Sequence, residues 1–183
     1  MKEPNDNDEC VIWTIGHSTR TIDEFINLLK SYNIELLADI RSYPGSKRYP
    51  HFNKNLLGVS LAGNRIEYIH IPELGGKRKP ADISSHPEWK NASFRAYADY
   101  MDSDTFYKGI TILKNISKVK RTAVMCAEAL WWKCHRRLVS DYLYARGTRV
   151  IHIFNETKIE IHKENSSPES IQNDLFGRNT EPA

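Results

Sequence analysis

Residues 122–147 read TAVMCAEALWWKCHRRLVSDYLYARG, and where this stretch changes from strand to helix decides the fold. Thr122 to Cys126 is short, apolar and partly β-branched, which is the pattern of a buried strand. From Leu130 onward the apolar positions recur at helical spacing, and Gly147 supplies the left-handed residue on which helices commonly stop. Between the two lie Cys126, Glu128, Trp131, Trp132, Cys134, His135 and Arg136. Open α/β sheets place their ligand crevice at the carboxyl ends of strands, so this cluster of ionisable and nucleophilic groups marks the expected site.

The rest of the chain repeats the strand-then-helix pattern. Val11–Ile15 (VIWTI) predicts a first strand that ends at Gly16, His17 and Ser18. Thr21-x-x-Glu24 is a capping box opening a helix with Ile22, Phe25, Ile26 and Leu29 on one face. Leu36–Ile40 (LLADI) predicts a second strand, with Asp39 near its end and Arg41 just beyond. A long loop follows, SYPGSKRYPHF, of a length that compact domains usually reserve for function or motion. Asn53 can cap a short helix ended by Gly63, and Ile66–Ile71 predicts a third strand running into Pro72-Glu73-Leu74-Gly75-Gly76. Glu88–Met101 and Asp104–Ser117 read as helices, and Val150–Phe154 with Lys158–His162 as an antiparallel hairpin. This order predicts an α/β fold: a mostly parallel sheet with helices on both faces and a C-terminal β-hairpin at the edge. Residues 1–9 read as a disordered leader, 10–162 as a single α/β domain and 163–183 as a flexible tail rich in Ser, Asn, Glu and Pro.

Composition narrows the class. The chain of 183 residues is 40% hydrophobic and 27% charged, an ordinary globular balance. Its longest apolar runs are strand-sized, so no membrane span is expected. Three cysteines without framework spacing point to free thiols in a reducing, cytoplasmic setting. The net charge of +3 is small, but no Asp or Glu occurs from Arg41 to Ile66, where Lys47, Arg48, Lys54 and Arg65 cluster. Such a patch attracts phosphates, or else is simply a solvated loop.

Parallel strands bring their carboxyl ends to one rim, where His17, Ser18, Asp39, Arg41, Glu73, Cys126 and Glu128 would meet. Cys126, at a strand end before a helix, is either an activated nucleophile or a small buried hydrophobe. Glu128 and His135 lie seven residues apart, on one face of a continuous helix, and form a candidate acid–base pair. Cys126, Cys134 and His135 are zinc-type ligands, but Cys134 and His135 are adjacent and diverge on a helix, and CxxC or HxxxH spacing is absent. No metal and no other cofactor is therefore expected. Tyr43, Tyr49 and Phe52 in the basic loop are candidates for stacking on bases.

The strings TIGHSTR (14–20), LLADIRSYPGSKR (36–48), ELGG (73–76) and MCAEALWWKCHRRLVSDYL (125–143) resemble the bacterial and archaeal domain-of-unknown-function family 488. The resemblance implies a compact α/β domain and marks His17, Ser18, Asp39, Arg41, Glu73, Gly75, Gly76 and Arg136 as substrate-binding candidates beside Cys126, Glu128 and His135. Gln172, Leu175 and Phe176 form a QxxLF string similar to the peptide by which bacterial repair and replication proteins dock on the DNA sliding clamp. The combined expectation is an enzyme acting on nucleic acid or a nucleotide-like phosphate compound in DNA repair. Lys47, Arg48 and Lys54 would contact nucleic acid, and DNA or a nucleotide and the clamp would be its partners. A non-catalytic DNA-binding or repair-accessory module and a small-metabolite enzyme are the alternatives.

Overall fold

The computed structural model describes residues 10–163. The expected leader, 1–9, and the clamp-type residues Gln172, Leu175 and Phe176 lie outside the described residues. Six strands form one sheet: β1 (Val11–Gly16), β2 (Leu36–Asp39), β3 (Glu67–His70), β4 (Thr122–Cys126), β5 (Arg149–Asn155) and β6 (Lys158–Ile161). Their order across the sheet is β3-β2-β4-β1-β5-β6. The first five run parallel, and β6 pairs antiparallel with β5, so the α/β fold with its edge hairpin is as the sequence predicts.

Alternation along the strands sends side chains to two faces. Trp13, Ile15, Leu37, Ala123 and Met125 meet α1 (Ile22–Ser31) and α2 (Lys54–Ala62) through Phe25, Leu29, Leu57 and Leu61. Ile12, Leu36, Ala38, Val124 and Val150 meet α3 (Ala92–Met101), α4 (Asp104–Ser117) and α5 (Arg136–Tyr144) through Tyr97, Phe106, Leu113, Leu138 and Leu143. Phe25, Leu29, Leu57 and Leu113 are fully buried, each contributing about 1.5–3 kcal/mol. The capping box on α1 is present in both directions, and Gly147 has the left-handed φ of +76°. α3 starts at Ala92, later than expected, because the Asn91 side chain accepts from the Ser93 and Phe94 N–H groups and so marks the true cap.

The largest departure lies after β4. The helix expected from Leu130 begins only at Arg136; Trp131–Lys133 form one 3₁₀ turn, and Cys134 is extended (φ −140°, ψ 176°). Tertiary contacts override the helical period here. The Trp131 ring stacks on His152 with centroids 4.1 Å apart, and the buried Arg136 side chain ties down the carbonyls of Glu128 and Ala129. Glu128 and His135 are therefore not on one helix face.

The connections leave β1 and β2 toward the α1/α2 face, whereas β4, between them, leaves toward α5. That reversal opens a crevice at the carboxyl ends of β1, β4 and β2, the switch point where open sheets bind ligands. No helix among the described residues is long and apolar enough to cross a membrane.

Candidate functional site

β1 and the loop after β4 run unusually close. A Cβ at Gly16 would collide with the Glu128 carbonyl, so only glycine fits there. The ladder continues past the strands, with the His17 N–H donating to the Cys126 carbonyl (3.0 Å) and the Ser18 N–H to that of Ala127 (2.9 Å). Ser18 turns the chain away at a left-handed φ of 51°. The His17 imidazole stacks on Phe52 at 4.1 Å and places Nδ1 3.0 Å from the Ser18 carbonyl. That contact assigns the proton to Nδ1 and leaves Nε2 to accept from Arg41 Nη1 at 3.3 Å. Burial first, and the Arg41 charge second, lower the His17 pKa to about 4, so the ring is neutral at pH 7.

Arg41 is held from below. Its Nε and Nη2 grip the fully buried Asp39 carboxylate, at 2.9 Å to Oδ1 and 2.6 Å to Oδ2, and Nη2 also donates to the Phe52 carbonyl (2.8 Å). The Tyr68 hydroxyl donates to Asp39 Oδ2 at 2.8 Å. Of the five guanidinium N–H groups, four are taken by Asp39, Phe52 and His17, and Arg41 also hydrogen-bonds the Tyr68 hydroxyl. Asp39 itself has no exposed surface and acts by positioning Arg41.

Above this floor is a cleft of about 400 Å³, lined by His17, Ser18, Arg41, Tyr43, Arg48, Tyr49 and Glu128 among others. Arg48 lies over the Tyr49 ring, 5.4 Å from its centroid. Glu128, Arg48 and Tyr43 are exposed, the last at 75%. Lys47 and Lys54 are also exposed, Lys54 as the first residue of α2. His17, Arg41 and Glu128 thus share one cleft. Glu73 does not join them: it lies against α4, where its Cβ faces Gly109, and its carbonyl accepts from the Tyr100 hydroxyl at 2.6 Å.

His135 belongs to a second cleft of about 290 Å³, lined by Gly76, Asn91, Ser93, Phe94, Tyr97, Lys133, Cys134 and His135. The acid–base pair expected from helical spacing is therefore split between two clefts. His135 Nε2 lies 3.0 Å from the Ile40 carbonyl and donates to it, which turns the free Nδ1 lone pair toward Cys126 Sγ, 3.8 Å away. A hydrogen bond from the Cys134 thiol is the main force holding the Cys126 pKa down to about 7, helped by Arg136 and the Glu128 and Ala127 N–H groups. The same bond, with burial, pushes Cys134 up. Gly75 and Gly76 are required by close approach, to Ser42 and to the His135 ring respectively.

Arg136, 1% exposed, bonds the Glu128 and Ala129 carbonyls and Thr14 Oγ1 (3.4 Å), so it shapes the cleft loop from inside. Thr14 starts a relay that sequence reading missed: Thr14 Oγ1 to His152 Nδ1 (2.8 Å), His152 Nε2 to His162 Nδ1 (3.0 Å), and His162 Nε2 to Asp141 Oδ1 (2.9 Å). The available signal was parity, since His152 shares the inward face of β5 with Val150.

No curated protein and no solved structure matches the chain. The family described as Domain of unknown function DUF488 matches residues 21–143, which include β2, β4, the basic loop and both clusters after β4 but not the β1 rim. The chain belongs to this family.

Proposed function

We propose that the protein is an enzyme acting on nucleic acid or a nucleotide-like phosphate compound bound in the switch-point cleft. The observation that carries this reading is the lining of that cleft, where cationic Arg48 and Arg41, stackable Tyr43 and Tyr49, and the exposed Glu128 carboxylate surround one space. Phosphate pairs with exposed Arg48, with the Arg41 guanidinium on the cleft floor behind it; an unpaired base stacks on a tyrosine ring. Glu128 moves the proton, and neutral His17 with Ser18 positions the substrate, so the Glu/His partnership runs through His17 instead of His135. A non-catalytic repair-accessory module is the second reading, because every feature except Glu128 serves binding alone.

The test is one oligonucleotide series. Single-stranded DNA should bind with a steep salt dependence, and replacing Lys47, Arg48 and Lys54 together with Ala should flatten the log–log slope by about 2. Glu128→Gln should retain binding while turnover of the oligonucleotide, followed by mass spectrometry, falls by ~10²-fold or more. Absence of binding at low salt sinks the nucleic-acid reading, and binding without turnover in the parent protein selects the accessory module.

The QxxLF string would tether such an enzyme to replicating DNA. A peptide of residues 167–183 should bind the sliding clamp of the same source with about micromolar affinity, carried by Leu175 and Phe176. Equal binding by the peptide with both changed to Ala removes the clamp from the scheme.

A further inference from the structure

We propose that Cys126, Cys134 and His135 form a binding site for a zinc-class divalent cation, with a fourth coordination position facing the cleft beside Gly76. One ligand atom each from Cys126, Cys134 and His135 lies within 4.8 Å of the other two, and the His135 nitrogen facing Cys126 Sγ is Nδ1. A tetrahedral zinc with sulfur ligands at about 2.3 Å and nitrogen at about 2.0 Å needs ligand–ligand separations of roughly 3.5–3.8 Å. The Cys126–His135 pair already stands at 3.8 Å.

On a continuous helix, adjacent Cys134 and His135 would diverge and could not share a metal. The extended backbone at Cys134 breaks that helix, and both side chains turn to the end of β4. The hydrogen bond from His135 Nε2 to the Ile40 carbonyl does for this ring what outer partners do at metal sites: it fixes the tautomer and aims the lone pair of Nδ1 at the sulfurs. Gly76 matters for the same reason. A Cβ there would run into the His135 ring at Nδ1, so glycine keeps the coordinating nitrogen accessible.

Donor chemistry selects the ion. Two thiolates and an imidazole favour soft or borderline metals such as zinc over calcium or magnesium, which take oxygen ligands. Two thiolates also neutralise the dication, so the loaded site adds no net charge next to buried Arg136. Three protein ligands with an open position leave room for a water or a substrate oxygen, supplied from the 290 Å³ cleft. This site is separate from the cleft of the proposed function, and its test reads metal, not turnover.

Reduced full-length protein should retain about one zinc per chain through gel filtration. Its cobalt form should show the sulfur-to-metal charge-transfer band and the intense visible bands of tetrahedral coordination. Cys126→Ser, Cys134→Ser and His135→Ala should each weaken zinc binding by ~100-fold or more, while Cys10→Ser, at the opposite end of β1, should not. Because buried cysteine variants can fail to fold, X-ray absorption of zinc-loaded parent protein reads the ligands directly: two sulfurs at about 2.3 Å with nitrogen at about 2.0 Å. No retained zinc, a shell of oxygen and nitrogen alone, unchanged affinity in folded Cys134→Ser, or a Cys126–Cys134 disulfide forming in zinc's presence would each overturn the site.

Discussion

Gly16→Ala should lower the unfolding free energy by about 3 kcal/mol or more, among the largest single-methyl effects in the molecule. The added Cβ meets the Glu128 carbonyl and the Ala129 Cα, which are backbone and cannot rotate away. Either β1 or the loop after β4 must move, and the loop is anchored by Arg136 and by the N–H of Ser18. Gly58→Ala is the matched control. The new Cβ there lies 3.8 Å from Tyr68, ordinary contact, inside α2. That change should stabilise by about 0.5–1 kcal/mol, the usual gain for removing a mid-helix glycine. Urea unfolding of both variants checks the pair, and equal stabilities would mean that the β1–β4 approach is not tight.

Acid should destabilise the fold well before its carboxylates protonate, and His152, beside His17, is one reason. Burial first, then neighbouring His162 and Arg136, lower its pKa from 6.5 to about 2. The groups facing it are Thr14 on β1, His162 after β6 and, beyond them, Arg136 and Asp141 on α5; the Tyr144 ring also lies 5.6 Å from His162. In the unfolded chain His152 takes up its proton near pH 6.5, whereas the native ring refuses it until far lower. The unfolded state therefore binds more protons as pH falls, and native stability drops; above pH 6.5 both forms are neutral and the effect vanishes. About 2 kcal/mol should be lost by pH 5 from this ring alone. Nitrogen NMR of the imidazole is the direct measurement. His152 shifts that stay constant from pH 7 to the onset of unfolding are expected, and a titration with a midpoint near 6.5 would remove the claim.

Much of this architecture is legible in the chain. Thr122–Cys126 is a strand with the bounds its apolar run suggests, as buried parallel strands are read by hydrophobicity alone. β1, β2, β3 and the hairpin fall within about two residues of their expected bounds, β3 and β6 by alternation because they are the less buried edges. The capping box worked for the same local reason. Residues 127–135 failed because their conformation is set from outside: Arg136 bonds backward onto their carbonyls, and Trp131 is held by a histidine on β5. A helical period survives in the sequence there without a helix to carry it. The rim residues His17, Arg41 and Glu128 were found from topology, but the locking of Arg41 onto Asp39 was not, since two charged residues at a strand end look alike whether they face a ligand or each other. Glu73 was misplaced because the turn at Pro72–Leu74 directs it toward α4.

The Thr14–His152–His162–Asp141 relay has a mechanical consequence. Arg136 at the start of α5 and Asp141 in its middle are both fastened to it, the first through β1 and the second through the segment after β6. The helix is thus bolted at two points along its length, to β1 and to the segment after β6, and Arg136 carries the load onward to the 128–129 backbone. The lip of the switch-point cleft is braced from the far edge of the hairpin, so the stiffness of a loop at the centre of the molecule is set by a strut that ends at its periphery.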